Sequence, residues 1–257
     1  MNKRVLGFGL AMALCGLVVM ARAQETASAD PVRTGFFLQI QGGGAFFLKS
    51  PLSASKDFSL FGETGTSTET YKYGTAPAID AAIGSYFRWG GLTIKAGLGF
   101  QRSFRRDSGS YTLTLPHPLE AGNPRTVAFS SDDLPDTSTS FYVFGLFSLI
   151  HSKGVDLWLG PIIGLGLEKF ATLDDFTIQE KPPYSSADVS ITDVTMIKTS
   201  VSSLWYGVAA DAEFALSRPF ALVASAKIIY DDPKIAALGR RANLLRIEGA
   251  AGFRIVF

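Results

Sequence analysis

The 257-residue sequence predicts an all-β protein, an eight-stranded antiparallel up-and-down β-barrel that crosses a membrane with its strands. Three observations predict this fold. Apolar and polar residues alternate with a period of two in eight successive segments, and no helical period is sustained. The connections between the segments alternate between short and long. The charges of most segments collect on one parity, while the other parity is apolar.

The first 23 residues have the pattern of a secretory signal peptide. Lys3 and Arg4 precede the uncharged run Val5–Met20, and the sequence "ARA" that ends at Ala23 resembles a cleavage site. The run is shorter than the ~20 residues that a membrane-spanning helix needs. We therefore expect residues 1–23 to be a cleaved signal peptide.

The chain from 24 to 257 is then expected to form a single barrel domain. It has no cysteine, so disulfides cannot stabilise it, and either a core or a membrane must do so. Of the 24 Lys and Arg, 21 remain against 23 Asp and Glu, a formal charge of −2. No basic patch indicates a nucleic-acid partner.

The alternating segments predict the strands and their connections in order. Strands are expected near 34–48, 76–89, 91–105, 138–151, 154–170, 200–216, 218–231 and 243–257. Tight connections fall at 89–91, 151–154 and 216–219. Long connections fall at 49–75, 106–137, 171–199 and 232–242, and their Gly, Ser, Thr, Asp and Pro residues predict loops. Outer-membrane barrels have this combination of short turns at one rim and long loops at the other.

The charged parity of the strands is expected to face the barrel interior. Eleven charged side chains share it, namely Asp80, Arg88, Lys95, Asp156, Glu168, Asp211, Glu213, Lys227, Arg246, Glu248 and Arg254. A Lys or Arg that faces lipid at mid-bilayer costs about 2–4 kcal/mol, and an acid costs less. Turning the whole set towards lipid would cost on the order of 20 kcal/mol, more than the ~5–15 kcal/mol that stabilises a typical domain. Facing inward, the acids and bases can pair into a closed polar core.

Two further features indicate a bilayer around the apolar parity. Arg102 and Lys169 lie on that parity, but they are about 25 and 35 Å from the short-turn ends of their strands, at or beyond the edge of an apolar band about 25 Å tall. Aromatic residues gather at both ends of the strands, as in interfacial girdles: Phe36, Trp89, Phe220 and Phe257 at one end, Phe46, Phe104, Tyr206 and Tyr230 at the other. The segment "FYVFGLFSLI" is apolar on both parities, so the pattern does not orient the strand at 138–151.

The last strand carries the one local resemblance to a known family. Phe253, Ile255 and Phe257 follow one another at two-residue steps up to the terminal aromatic residue. Together with the architecture, this resembles the small outer-membrane barrels of the OmpA transmembrane domain, OmpX and Opa/Ail type. The resemblance implies a Gram-negative outer membrane, with lipid and lipopolysaccharide around the barrel. It also implies that the outer-membrane assembly machinery reads the terminal strand during insertion.

Few residues have a pattern typical of catalysis or metal binding. His117 lies between prolines with no evident nucleophile or acid, and His151 and Ser152 are explained by a surface turn. The Asp pairs at 132–133, 174–175 and 231–232 have the positions of solvated loop residues. The sequence therefore predicts no enzyme, no catalytic residue, no cofactor and no metal site.

The function expected from these observations is that of an integral outer-membrane barrel with a structural or surface-binding role, such as adhesion. External ligands would bind the loops at 49–75, 106–137 and 171–199. Three alternatives stay open at this point: a narrow pore, a soluble periplasmic barrel that binds lipid in an apolar interior, and, less favoured, an enzyme that modifies lipid A. A fold alone does not decide among them.

Overall fold

The computed structural model describes residues 35–48, 52–89, 92–152, 154–217, 219–235 and 240–257. The predicted signal peptide lies outside the described residues. The strands are β1 (Gly35–Phe47), β2 (Leu52–Leu60), β3 (Glu63–Lys72), β4 (Ala76–Trp89), β5 (Leu92–Leu115), β6 (Arg125–His151), β7 (Val155–Glu180), β8 (Val189–Ala215), β9 (Phe220–Asp231), β10 (Lys234–Ile235), β11 (Arg240–Arg241) and β12 (Leu244–Val256). A single 3₁₀ turn, Ser186–Asp188, is the only helical element among the described residues. Within those residues, no helix is long and apolar enough to cross a bilayer.

Eight of the strands close into an antiparallel ring. The ring runs β1, β4, β5, β6, β7, β8, β9, β12 and back to β1. Phe37 pairs with Val256 and Phe47 with Arg246 where the first and last strands close it. Each of the other neighbours in the ring is also antiparallel. The predicted eight-stranded up-and-down barrel is thus confirmed.

The long connections differ from the prediction, because most of their residues form strands rather than loops. Strands β5 and β6 stay paired out to Leu115 and Arg125, and strands β7 and β8 stay paired out to Glu180 and Val189. The segment 49–75 contains the hairpin β2–β3, and β3 continues the barrel wall beside β5 above β4. The short strands β10 and β11 pair within 232–242.

The composition of these segments explains the difference. Ser and Thr are as frequent there as in loops, but they alternate with Tyr, Leu and Phe, and both Thr and aromatic residues favour strands. True turn chemistry is confined to the tips. Phe61 and Gly62 both have positive φ and join Leu60 to Glu63, as in a two-residue hairpin turn. The other tips are the segments 116–124 and 181–188.

The burial pattern follows the alternation predicted for the barrel. Along β7, for example, residues at even numbers from 156 to 170 are buried, and their odd-numbered neighbours from 159 to 169 are exposed. The structure also orients β6, which the sequence could not. Tyr142 and Leu146 face the interior, whereas Phe141 and Val143 are about half exposed on the outside.

A belt of apolar side chains surrounds the lower part of the barrel. Its members include Phe36, Ile40, Ile79, Ile83, Trp89, Leu98, Val143, Leu165, Leu204, Val208, Phe220, Ile228 and Phe253, which are exposed by 46–76%. Arg102 and Lys169 lie on the same outer face at its upper end, and both are exposed. A soluble protein does not expose a continuous apolar surface of this kind, whereas a bilayer covers it.

Glycine makes room for one aromatic ring in the barrel interior. A methyl group added to Gly99 would overlap the ring of Tyr142. A methyl group added to Gly42, on the lipid-facing side of β1, would meet no atom within 4 Å. The interior of a barrel of this size is just filled by side chains, so Gly99 is the small partner of a large neighbour.

Gly99→Ala is therefore expected to lower the free energy of unfolding by about 1–3 kcal/mol, through overpacking against Tyr142. Gly42→Ala is the matched control and should leave it nearly unchanged. Urea unfolding from phosphocholine vesicles, followed by tryptophan fluorescence, measures both. Equal effects of the two substitutions would contradict the proposed packing.

Candidate functional site

The lowest layer of the barrel interior is a group of buried ion pairs around Lys95. The ammonium group of Lys95 is fully buried and contacts carboxylates of both Asp211 and Glu213, with 3.0 Å to Glu213 Oε1. Arg254 forms a second ion pair with Glu213, and the hydroxyl of Tyr86 donates to the same carboxylate at 3.1 Å. These side chains belong to strands β4, β5, β8 and β12, so their contacts link opposite walls of the barrel.

A second layer lies above the first and is centred on Lys227 and Arg246. Lys227 pairs with Asp80, whose carboxylate also accepts the hydroxyl of Tyr142 at 2.7 Å. Arg246 donates to Glu248 at 2.8 Å and lies 3.3 Å from Asp231. Buried charges need such partners, because their desolvation is otherwise too costly.

Ten of the eleven charges predicted to face inward are buried, and Arg88 is the exception. Its side chain is exposed, because it lies one residue from the end of β4 at the short-turn rim, where the interior meets water. Of the predicted set, four bases therefore meet six acids inside the barrel, rather than five bases. The prediction of an interior ion-pair network was correct, except that Arg88, which keeps the inward parity of β4, is exposed at the rim and is not one of its buried members.

A third charged layer lies outside the membrane-spanning part, three residues beyond Arg102. Arg105 pairs with Asp136 and with Asp107, which is 2.9 Å away, and its guanidinium stacks on the ring of Tyr73 at 4.8 Å. This layer was not predicted from the sequence, because residues 106–137 were assigned to a loop. The spacing of Arg105 and Asp107, two residues apart in an alternating segment, was the available signal.

Burial changes the pKa values of the carboxylic acids in this third layer. Desolvation raises the pKa of Asp136 to about 6, although the nearby Arg105 acts in the opposite direction. Burial raises the pKa of Asp107 as well. The folded protein therefore binds a proton at Asp136 more tightly than the unfolded chain does.

We expect Asp136 to make the free energy of unfolding depend on pH between about 4 and 6. Its contribution is fully present below the ordinary Asp pKa of 3.8 and is lost as the pH rises through about 6, a change of at most about 3 kcal/mol. Asp136→Asn carries no proton to lose and should flatten this slope. Urea midpoints of both proteins at pH 4 and pH 7 measure the difference, and identical slopes would contradict the assignment.

The interior between the ion pairs is packed rather than open. A cavity beside Lys227 and Glu248 has a volume of about 10 Å³, and one between Gln41 and Tyr142 has about 20 Å³. Each has room for about one water molecule. Aromatic rings fill the space between the layers, with Tyr142 and Trp205 5.9 Å apart. The described part of the axis is thus filled by side chains.

His117 stabilises the tip of the β5–β6 hairpin. Its Nδ1 accepts hydrogen bonds from the backbone amides of Leu119 and Glu120, at 3.2 and 3.0 Å, and its ring lies edge-on to Tyr184. A nitrogen that accepts two backbone amides is not free to take a proton from a nucleophile. The turn therefore accounts for His117.

His151 has an acidic partner, but the hydroxyl of the adjacent Ser152 is not directed at its ring. Its Nδ1 lies 2.5 Å from Oδ1 of Asp156. The hydroxyl of Ser152 instead donates to the carbonyl oxygen of Val155 at 2.9 Å and closes the β6–β7 turn. An acyl-transfer site needs the hydroxyl directed at the imidazole, and this turn directs it elsewhere.

Two of the three Asp pairs, 174–175 and 231–232, have different environments. Asp231 is buried in the second layer, and Asp232 pairs with Arg241 at 3.1 Å. Asp174 and Asp175 are exposed beside the outer hairpins. Among the described residues, no three His, Cys, Asp or Glu side chains form a group that could hold a metal ion.

The outer part of the barrel contains a cleft of about 240 Å³ between the hairpin β2–β3 and strand β7. We call it the outer cleft, and six residues define it: Lys56, Phe58, Ser67, Glu69, Asp174 and Phe176. These residues were predicted to lie in loops, so the cleft was not predicted from the sequence. The alternation in "TSTETYK" places Ser67 and Glu69 on one face and was the signal that could have found it.

The exposed apolar belt, the charged interior and the closed ring together define a membrane-spanning β-barrel of the outer-membrane type. The predicted fold and the predicted outer-membrane location agree with this architecture. A soluble barrel would expose the apolar belt to water, so the soluble alternative does not fit the structure.

No protein-family model matches the chain, and no curated protein matches its sequence. Solved structures with a similar fold include Neisserial surface protein A, at 15% identity over 87% of this chain and 97% of that chain, with a TM-score of 0.39. Ail of Yersinia pestis is similar at 13% identity over 86% and 99%, with a TM-score of 0.35. The outer-membrane protein OprG from Pseudomonas aeruginosa is similar at 10% identity over 88% and 97%, with a TM-score of 0.36. At these identities the likeness concerns the fold alone.

Proposed function

We propose that this outer-membrane barrel is a sealed anchor that presents a rigid β-structure outside the cell and binds external molecules with it. The observation that carries the proposal is the height of the hairpins. Strand β5 continues 13 residues beyond Arg102, which is about 30–40 Å of paired strand outside the apolar belt. Anchoring alone does not need a wall of this length.

The outer extension consists of β2, β3 and the parts of β5, β6, β7 and β8 beyond Arg102 and Lys169. It has its own apolar core, which supports a binding role for a defined surface rather than for flexible loops. Leu113 and Leu115 are fully buried there and pack with Val189. The ring of Phe58 meets that of Phe176 edge-on at 5.3 Å. Binding residues on a rigid scaffold lose less conformational entropy than residues on a flexible loop. Adhesion would be one use of such a surface.

Protease treatment of intact cells tests the exposure of the extension. Proteinase K is expected to cut at the hairpin tips 61–62, 116–124 and 181–188, and to leave the paired strands intact. The turns at 151–154 and 216–219 should be cut only after the outer membrane is permeabilised, which makes them the internal control. Cuts at those turns in intact cells would contradict the proposed orientation.

A shortened hairpin tests binding separately from anchoring. Residues 110–130 can be replaced by Asn-Gly, because Gly109 and Ser131 are paired and a two-residue turn can close them. We expect the shortened protein to insert and to keep its heat-resistant migration, but to lose capture of molecules on glycan and peptide arrays. If cells that display the full chain capture nothing above cells without it, the binding role is wrong.

The narrow pore is the second candidate function, and the packed ion-pair layers argue against it. Planar-bilayer recordings of the purified protein should show no steady conductance. A stable conductance of the full chain that is lost in the variant with the shortened hairpin would favour a pore instead.

Insertion by the outer-membrane assembly machinery is part of the same proposal. Phe257 is 75% exposed at the base of the barrel, and its amide donates to the carbonyl of Phe36 at 2.8 Å. An exposed aromatic side chain in this position can be contacted before the ring closes. We expect deletion of Phe257 to lower the inserted fraction of the protein in cells, measured by the heat-resistant band.

A further inference from the structure

We propose that the outer cleft binds a cationic amphiphile, namely a protonated primary amine attached to an aromatic or short alkyl group. The amine would lie against Glu69 and Ser67 at the floor, and the apolar group would pack against Phe58 and Phe176 at the side. This inference deepens the proposed function and rests on it, because the cleft must face the outside of the cell.

The floor of the cleft is polar and contains a hydroxyl group without a hydrogen-bond partner among the described residues. Ser67 is 4% exposed, and its hydroxyl has no hydrogen-bond partner among the described residues. Glu69, two residues further along β3, is 3% exposed and accepts the hydroxyl of Tyr71. A buried hydroxyl without a partner is costly, and a ligand that donates a hydrogen bond would remove that cost.

Acidic residues outnumber basic residues in the lining of the outer cleft, which favours a positively charged ligand. Glu69, Asp174 and Asp175 line the cleft, and Lys56 is the only base among its lining residues. The two Asp residues and Lys56 are exposed at the mouth, whereas Glu69 is at the floor. A cation entering the cleft therefore meets an excess of two negative charges, and an anion is repelled.

The protonation of Glu69 is consistent with a cationic ligand. Burial raises the pKa of Glu69, because its desolvation outweighs the hydrogen bonds from Tyr71 and the backbone of Leu173 and the attraction of Lys56. An ammonium group beside the carboxylate would favour the ionised form. An alcohol of the same size could fill the space but could not supply this interaction.

Apolar side chains in the cleft favour an apolar group as the part of the ligand that is attached to the amine. Leu60, Leu173 and Ile178 line the cleft together with the edge-to-face rings of Phe58 and Phe176. The volume of about 240 Å³ equals that of about eight water molecules. A phenyl ring with a two-carbon amine has a size suited to this space, whereas a folded polypeptide domain does not.

Isothermal titration of the full chain in phosphocholine nanodiscs tests the proposal, with phenethylammonium as the probe. Neutral 2-phenylethanol and anionic phenylacetate are the matched ligands. We expect the amine to bind at least about tenfold more tightly than either, because a charge-assisted hydrogen bond is lost in both. Equal affinity for the amine and the alcohol would overturn the proposal, and this comparison needs no substitution.

Variants locate the binding within the cleft. Glu69→Gln should weaken amine binding about tenfold or more, and Ser67→Ala should weaken it by a smaller factor of about three. Glu63→Gln is the control, because Glu63 lies on the same strand but does not line the cleft. Heat-resistant migration checks that each variant is folded. Unchanged affinity in folded Glu69→Gln would overturn the assignment.

Failure of this inference can be distinguished from failure of the proposed function. If proteinase K cuts the hairpin tips on intact cells but the amine does not bind, the ligand class is wrong and the surface role stands. If the tips are inaccessible on intact cells, the surface role is wrong, whatever the titration of the purified protein shows.

Discussion

Lys95→Met is expected to lower the free energy of unfolding by about 3–5 kcal/mol. Lys95 is fully buried and contacts both Asp211 and Glu213, so its removal leaves two buried carboxylates with Arg254 as the nearest remaining base. Breaking a buried ion pair from one side costs this much, because the remaining charge stays desolvated. Urea unfolding from phosphocholine vesicles measures the change.

Two further variants make this result interpretable. Lys72→Met removes a base from an exposed position on β3 and should leave the free energy of unfolding within error of the original. Lys95→Met combined with Asp211→Asn and Glu213→Gln removes the stranded charges and should recover part of the loss. If Lys95→Met alone were as stable as the original protein, the interior would be hydrated rather than packed.

Leu98→Arg is expected to lower the free energy of unfolding by about 2–4 kcal/mol. Leu98 is 58% exposed on the outer face of β5, six residues above the start of the strand, which is about 15 Å up the wall and near the bilayer midplane. An Arg facing lipid at that depth carries this cost. Equilibrium unfolding from bilayers of defined thickness gives the value.

Leu119→Arg is the control for lipid exposure. Leu119 is 75% exposed, even more than Leu98, but lies at the tip of the β5–β6 hairpin, well outside the apolar belt. The same substitution there should leave the free energy of unfolding nearly unchanged. A similar loss at both positions would mean that the apolar belt does not define the bilayer.

For most strands, the sequence predicts which residues face the barrel interior and which face lipid. A charge is costly when it faces lipid, whereas it can form ion pairs in the interior. Asp80 and Lys227 are examples: each was predicted to face inward from its parity alone, and the two form an ion pair across the barrel. The partner of a given charge could not be predicted. Pairing depends on the relative heights of strands that are distant in sequence, and alternation contains no information on register.

Strand β6 shows the limit of alternation most directly. Phe141 and Tyr142 are both aromatic, so neither parity was marked as polar. In the structure the hydroxyl of Tyr142 donates to Asp80 inside the barrel, while Phe141 packs 5.3 Å from Phe100 on the lipid face. Inside this apolar segment the hydroxyl of Tyr142 marks the inward face, but its partner lies 62 residues away in the chain, so the sequence pattern does not show it.

The outer extension was the main feature that sequence analysis missed. Ser and Thr are common in turns, so the segments around Ser67 and Tyr111 were assigned to loops. Both residues are buried, on strands that continue the barrel wall above the belt. The outward face of these strands contacts water above the apolar belt and lipid within it, so polar side chains are favourable on the outer part. A strand outside the bilayer can therefore have a loop-like composition.

Photolabelling of the unmodified protein by a carbene reagent dissolved in the bilayer tests the central claim most directly, with the labelled residues identified by mass spectrometry. The account predicts labels at Ile40, Ile83, Leu98 and the other side chains of the apolar belt, and none at Gln41 or Lys95. Labels on the inward-facing set, with the apolar belt left unmodified, would contradict it.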